Sequence, residues 1–109
     1  WGDSPVWREQ SPALQAGNHA KGTGFKTPIL ITVGELDYRV PYGNGLELYG
    51  VLQALNVPSR LVVYPNENHW ILTPQNAIYW HWEMQSWLAR YIGVKPTLTK
   101  PSFESAETK

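Results

Sequence analysis

The residues Pro28-Ile29-Leu30-Ile31-Thr32-Val33-Gly34 are the clearest indication of the fold class of this chain. Its apolar residues are continuous rather than alternating, which is typical of a strand buried on both faces of a parallel sheet. The stretch Ser59-Arg60-Leu61-Val62-Val63-Tyr64 predicts a second strand. Gly34 ends the first strand, and we expect residues 35–41 and 65–70 to form the loops that follow the two strands.

Each predicted strand is followed by a stretch with helical periodicity. Residues 42–56 carry four apolar side chains at i, i+3, i+4 and i+7, which share one face of a helix: Leu48, Val51, Leu52 and Leu55. Gly43, Gly45 and Gly50 each weaken this helix by about 1 kcal/mol relative to alanine. The pair Asn44-Gly45 is also a hairpin signal, but the helical period of the following residues favours the helix. Asn56 and Pro58 are expected to end it.

A second helix is predicted to start at Thr73-Pro74 and to stop at Gly93. Threonine can accept a hydrogen bond from a free backbone N–H at a helix start, and proline is well tolerated at the first helical position. One face of this helix is apolar, with residues spaced three and four apart: Ala77, Trp80, Met84, Trp87, Leu88 and Tyr91.

The order strand, helix, strand, helix predicts an α/β fold with a parallel sheet. Two strands alone do not make such a sheet stable. We therefore expect residues 1–93 to be one part of a larger domain, completed by segments outside this sequence. Residues 1–27 contain Pro5, Pro12 and several glycines and are expected to be loop. Residues 94–109 are expected to form a polar tail, extended or disordered.

Composition narrows the function classes. The 109 residues include nine basic and nine acidic side chains, so the net charge is zero. Nucleic acid and anionic membrane are therefore disfavoured as main partners, because both require an excess of positive charge. The chain has no cysteine, which excludes disulfides and thiolate metal sites. It opens on Trp1 with no initiator Met and no signal peptide, so we expect it to be a fragment.

Two polar residues stand where chemistry is expected, in the loops after the carboxyl ends of the two strands. Asp37 follows the first strand and His69 follows the second. An aspartate that accepts from one ring nitrogen of a histidine leaves the other nitrogen available for a proton. The alternative is structural, since Asp is common in turns and His is common on surfaces. His19 and His81 are interpreted as structural, and no spacing typical of metal ligands is present.

The residues around these positions are distinctive. Thr27-Pro28-Ile29-Leu30, leading to Gly34-Glu35-Leu36-Asp37-Tyr38-Arg39-Val40-Pro41, resembles the aspartate segment of the prolyl oligopeptidase family of serine peptidases. The block Tyr64-Pro65-Asn66-Glu67-Asn68-His69-Trp70, followed by Thr73-Pro74-Gln75-Asn76 and a Trp-rich helix, most closely resembles the branch of dipeptidyl-peptidase 5 and acylaminoacyl-peptidase. Ser11-Pro12 also resembles the segment that precedes the aspartate strand. The resemblance covers about residues 1–93.

This resemblance implies the carboxyl-terminal portion of an α/β-hydrolase catalytic domain, usually preceded by a β-propeller. It implies that Asp37 is the acid and His69 the base of a Ser-His-Asp triad, whose chain order in this fold is Ser, Asp, His. The nucleophilic serine stands in a Gly-x-Ser-x-Gly elbow in the family, and no serine of this chain has those flanking glycines. Arg39 is expected to shape or brace the loop, Val40 to border the substrate cleft, and Trp70 to shield His69 or line the leaving-group side, although packing alone could explain all three.

The expected function is that of a serine peptidase that releases dipeptides from peptide amino termini, with no cofactor or metal. The expected partners are a peptide substrate and the upstream part of the same enzyme, and self-association remains open. An acyl-peptide hydrolase, an esterase of the same fold and a non-catalytic structural fragment are the alternatives. Relatives in this branch are often secreted or periplasmic, which favours those compartments over the cytoplasm. The chain alone is expected to be inactive.

Overall fold

The computed structural model describes residues 4–17 and 24–102. Within them the elements follow in this order: α1 (Pro5–Gln10), α2 (Pro12–Gln15), β1 (Ile29–Gly34), α3 (Gly43–Ala54), β2 (Ser59–Tyr64) and α4 (Pro74–Ile92). The described parts of residues 1–70 and of residues 71–109 form two compact units.

The sheet of the first unit consists of β1 and β2, paired in parallel. Ile31 is opposite Leu61 and Gly34 is opposite Tyr64, so both strands end at the same level. This register places the two following loops at one edge of the sheet. The parallel α/β arrangement predicted from the sequence is confirmed, and both predicted strands agree with the structure to within one residue.

Helix α3 covers one face of this sheet. Ile31, Leu52 and Val57 form the buried cluster, and Leu48 and Leu55 pack against it as the periodicity predicts. Tyr49 also joins the cluster, whereas Val51 is only half-buried. Gly45 has a packing role, because a Cβ there would lie 2.5 Å from Cγ1 of Val33. The glycine that weakens the helix in isolation lets its first turn approach the strand.

The carboxyl end of α3 is a Schellman motif. Asn56 adopts the left-handed conformation with φ 55°. Its N–H donates to the carbonyl of Gln53 at 3.1 Å, and the N–H of Val57 donates to that of Leu52 at 2.9 Å. Because Leu52 and Val57 also meet in the apolar cluster, helix termination and core packing are achieved by the same two residues.

The structure corrects the prediction for the amino-terminal segment. Residues 4–17 are not loop throughout but contain α1 and α2, each with a proline in its first turn. Ala16 is fully buried, and its carbonyl accepts from the N–H of Phe25 at 2.8 Å. His19 lies outside the described residues. Burial of the strands is also less than predicted: only Ile31 and Gly34 in β1 and Tyr64 in β2 are buried, because the sheet has only two strands among the described residues.

The second unit is built on α4. Pro74 occupies its first turn, and it ends at Gly93 with φ 72°, as predicted. Thr73 makes no side-chain capping bond; its backbone carbonyl instead accepts from Ala77 at 2.8 Å. Residues 94–102 are irregular, yet Oε1 of Gln85 accepts from the N–H groups of Thr97 and Leu98 at 2.8 and 3.2 Å. This part of the tail folds back on its own helix, whereas residues 103–109 lie outside the described residues.

Candidate active site

Backbone hydrogen bonds join the two loops that follow β1 and β2. The N–H of Glu35 donates to the carbonyl of Tyr64 at 3.0 Å, and the N–H of Leu36 donates to that of Glu67 at 2.9 Å. The parallel pairing thus continues past the ends of the strands and into both loops. The side chains that come next, Asp37 on one loop and His69 on the other, are brought together by this extension.

Gly34 permits the loops to approach each other. A Cβ on Gly34 would lie 2.5 Å from the carbonyl oxygen of Glu67 and closer still to that of Asn68. Such distances are far inside ordinary van der Waals contact. Any side chain at this position would therefore separate the loop that carries Asp37 from the loop that carries His69.

The carboxylate of Asp37 divides its two oxygens between the loops. Oδ2 lies 2.8 Å from Nδ1 of His69. Oδ1 accepts from the backbone N–H groups of Arg39 at 3.0 Å and Val40 at 2.9 Å. The two interpretations of this aspartate, turn former and partner of a histidine, are therefore both realised, one by each oxygen.

The surroundings of Asp37 favour its ionised form. The hydrogen bond from the N–H of Val40 is the largest cause that lowers the pKa of its carboxyl below the ordinary value of 3.8, and His69 and the N–H of Arg39 act in the same direction. Partial burial of Asp37 acts in the opposite direction and raises the pKa, but the net effect is a lowered pKa. An ionised carboxylate only accepts hydrogen bonds, so Nδ1 of His69 carries the shared proton.

The second nitrogen of His69 is available for chemistry. Among residues 4–17 and 24–102, no hydrogen bond to its Nε2 is found. The side chain of His69 is 39% exposed, whereas that of Asp37 is 11% exposed. With Nδ1 protonated, neutral imidazole holds a lone pair on Nε2. The pair can therefore accept a proton at Nε2 while the carboxylate stabilises the resulting imidazolium.

The three other predicted site residues surround this pair. Trp70 is 58% exposed, and its ring stands at 88° to the imidazole of His69, with 5.6 Å between centroids. The guanidinium carbon of Arg39 lies 6.0 Å from the centroid of the Trp70 ring. Val40 is 51% exposed and contributes its N–H to Asp37. None of the three is buried, so their placement is not explained by core packing within the described residues.

His81, interpreted from the sequence as structural, belongs to the second unit. His81 is exposed on α4, with its ring 4.9 Å from that of Trp80. No group of three or more His, Asp and Glu suited to a metal ion occurs in the described part of the chain. None of its helices is long and apolar enough to span a membrane.

Sequence reasoning missed two supporting residues. It interpreted Gly34 only as the end of a strand, although a glycine in a strand can also indicate a site where another backbone comes close. It gave Asn68 no role, yet Oδ1 of Asn68 accepts from the N–H of Trp70 at 2.8 Å. This Asx turn, with His69 at its centre, is the counterpart of the turn around Asp37.

Comparison with known proteins agrees with these features. The sequence model of the prolyl oligopeptidase family matches residues 1–95. A probable dipeptidyl-peptidase 5 from Aspergillus terreus is 45% identical over 95 residues, which cover 87% of this chain and 13% of the relative. One from Emericella nidulans is 47% identical over 70 residues, covering 64% of this chain and 10% of the relative. Dipeptidyl-peptidase 5 from Porphyromonas gingivalis is 35% identical over 92 residues, covering 81% and 14%.

No solved structure gives a significant match. The chain spans only 10–14% of the length of these curated relatives. The family model nevertheless covers the sheet, helix α3, both loops and α4. The chain belongs to the prolyl oligopeptidase family and carries part of its α/β-hydrolase fold.

Proposed function

We propose that this chain supplies the acid and the base of a Ser-His-Asp triad in a serine peptidase that releases dipeptides from the amino termini of peptides. The observation that carries the proposal is the 2.8 Å contact between Oδ2 of Asp37 and Nδ1 of His69, with Nε2 directed away from that contact. Membership of the prolyl oligopeptidase family and the dipeptidyl-peptidase names of its relatives support the reaction class and the substrate.

In the proposed reaction, Nε2 of His69 takes the proton of a serine hydroxyl as its oxygen attacks a peptide carbonyl. Asp37 fixes the tautomer and stabilises the imidazolium. His69 then returns the proton to the leaving amine, and a water molecule repeats the sequence on the acyl-enzyme. The serine belongs to a part of the protein outside these 109 residues, because no Gly-x-Ser-x-Gly occurs within them.

Substitution of either residue in the full-length protein tests this role. Asp37→Asn should lower kcat by about 10⁴-fold, because the amide favours the wrong imidazole tautomer. His69→Ala should reduce turnover at least as far, since it removes the proton acceptor. Both variants should also react more slowly with a fluorophosphonate that labels activated serines.

Two matched controls accompany these variants. Glu35→Gln removes an exposed carboxylate from the same loop as Asp37, and His81→Gln removes an exposed imidazole from α4. Both should turn over a free-amine dipeptidyl substrate at the wild-type rate. Near-normal turnover by Asp37→Asn or His69→Ala would exclude the triad role. If the wild-type protein turned over only acylated peptides, the triad role would stand, but the substrate would be an acylated peptide rather than a peptide with a free amino terminus.

A further inference from the structure

The contact between Asp37 and His69 fixes one point of the imidazole but not its plane. The ring is otherwise held through its bond to Cβ, and small coupled rotations about Cα–Cβ and Cβ–Cγ can shift Nε2 while the hydrogen bond at Nδ1 bends. A second contact to the ring narrows the positions open to Nε2. This matters because misplacement of a reacting group by about 1 Å can cost about 100-fold in rate.

Trp70 provides such a contact. Its indole meets the imidazole of His69 at 88° with 5.6 Å between centroids, which is the edge-to-face geometry that aromatic rings favour. The backbone of Trp70 is held by the bond from its N–H to Oδ1 of Asn68 at 2.8 Å. The backbone from which the indole extends is thus held in the same turn as the histidine.

Arg39 holds Trp70 from the opposite loop. Its guanidinium carbon lies 6.0 Å from the centroid of the indole ring, within the range of a cation–π interaction. Its backbone N–H donates to Oδ1 of Asp37 at 3.0 Å. The contacts therefore close a circuit of four residues: Asp37 to His69, His69 to Trp70, Trp70 to Arg39, and Arg39 back to Asp37.

We propose that Trp70 and Arg39 are positioning residues that fix the plane of the His69 imidazole, with Arg39 acting through Trp70. This inference rests on the proposed catalytic role of His69. It assigns Trp70 a role in the proton transfer rather than in the binding of substrate. Loss of the indole should therefore lower kcat and leave KM unchanged.

The test uses the full-length protein and a dipeptidyl substrate. Trp70→Ala should lower kcat by about two- to tenfold, from the strength of edge-to-face aromatic pairs. Trp70→Phe retains an aromatic edge and should restore kcat to within about twofold of the wild type. Arg39→Ala keeps the backbone bond to Asp37 and should lower kcat by about two- to fivefold. Thermal unfolding of each variant controls for stability. If Trp70→Ala does not fold, the kcat of Arg39→Ala still tests the positioning role.

The double variant decides whether the two residues act in series. If Arg39 acts through Trp70, adding Arg39→Ala to Trp70→Ala should cause no further loss. Arg90→Ala is the matched control, because it removes a guanidinium 5.5 Å from the Tyr91 ring on α4 and should leave kcat unchanged. A raised KM with normal kcat in Trp70→Ala would overturn the inference, and so would fully additive losses.

The proposed function and this inference can fail separately. Asp37→Asn is measured in the same series. If Asp37→Asn is inactive while Trp70→Ala has normal kcat, only the positioning role is wrong. If Asp37→Asn retains normal turnover, the triad assignment fails, and the positioning role fails with it.

Discussion

Replacement of Gly34 by alanine should impair the proposed active site without changing Asp37 or His69. The new Cβ would lie 2.5 Å from the carbonyl oxygen of Glu67, whereas ordinary contacts are 3.4–4 Å, so that oxygen must retreat by about 1 Å. The carbonyl of Asn68 must move farther. Both belong to the loop that carries His69, so the 2.8 Å contact with Asp37 would lengthen or break.

The expected cost has two parts. Overpacking of this kind destabilises a folded protein by about 1–3 kcal/mol, and loss of the bond between Leu36 and Glu67 adds about 1 kcal/mol. Displacement of the imidazole by about 1 Å should lower kcat/KM by about 100-fold. Activity should therefore fall even at temperatures at which the variant remains folded.

The assay compares Gly34→Ala with Gly50→Ala in the full-length protein. A Cβ on Gly50 meets nothing within 4 Å, and alanine is the better helix former by about 1 kcal/mol. Gly50→Ala should therefore be at least as stable as the wild type and fully active. If Gly34→Ala matched the wild type in both kcat/KM and thermal stability, the close approach of the two loops would be refuted as the basis of the site.

Two further predictions concern charge and packing. The pKa of the Asp37 carboxyl is lower in the folded protein than its ordinary value of 3.8. The ionised carboxylate therefore stabilises the folded state fully at pH values above 3.8, and this contribution is lost as the pH falls through the lowered pKa. Urea unfolding between pH 6 and pH 2 should accordingly show the wild type losing its advantage over Asp37→Asn only at the acidic end; a constant difference would contradict this. Leu52 is fully buried, so Leu52→Ala should lower the free energy of unfolding by about 2–5 kcal/mol. Leu46 is 42% exposed, so Leu46→Ala should lower it much less. Equal losses in the two variants would show that Leu52 does not stabilise the core.

The regular elements of the sheet could be predicted because local rules and tertiary packing agree there. The continuous apolar runs gave β1 and β2 nearly to the residue. Helix α3 ends just before Asn56, close to where the sequence indicated, because the left-handed turn is a local feature that asparagine tolerates. Their positions beyond the same edge of a parallel sheet made a contact between Asp37 and His69 possible, and the resemblance to the prolyl oligopeptidase family made it the expected arrangement.

One failure has a local cause and another lies in the pairing of the strands. Pro5 and Pro12 were interpreted as breakers of regular structure, but each stands in the first turn of a short helix, where a missing N–H costs nothing. Helices of six and four residues carry too little periodicity to be recognised. The close approach at Gly34 depends on the register of β1 against β2, which no single stretch of sequence contains.

The division of the Asp37 carboxylate between two tasks affects how sequences related to this one can be interpreted. One oxygen shapes the loop through the N–H groups of Arg39 and Val40, and the other serves His69. A related sequence without the proposed catalytic role would still gain from an Asp or Asn here, because either side chain can accept the two N–H groups that shape the loop, whereas no such backbone contact depends on His69. Under the proposed function, the histidine is therefore the more informative marker of catalysis among related sequences, whereas the aspartate alone is also explained by the shape of its loop.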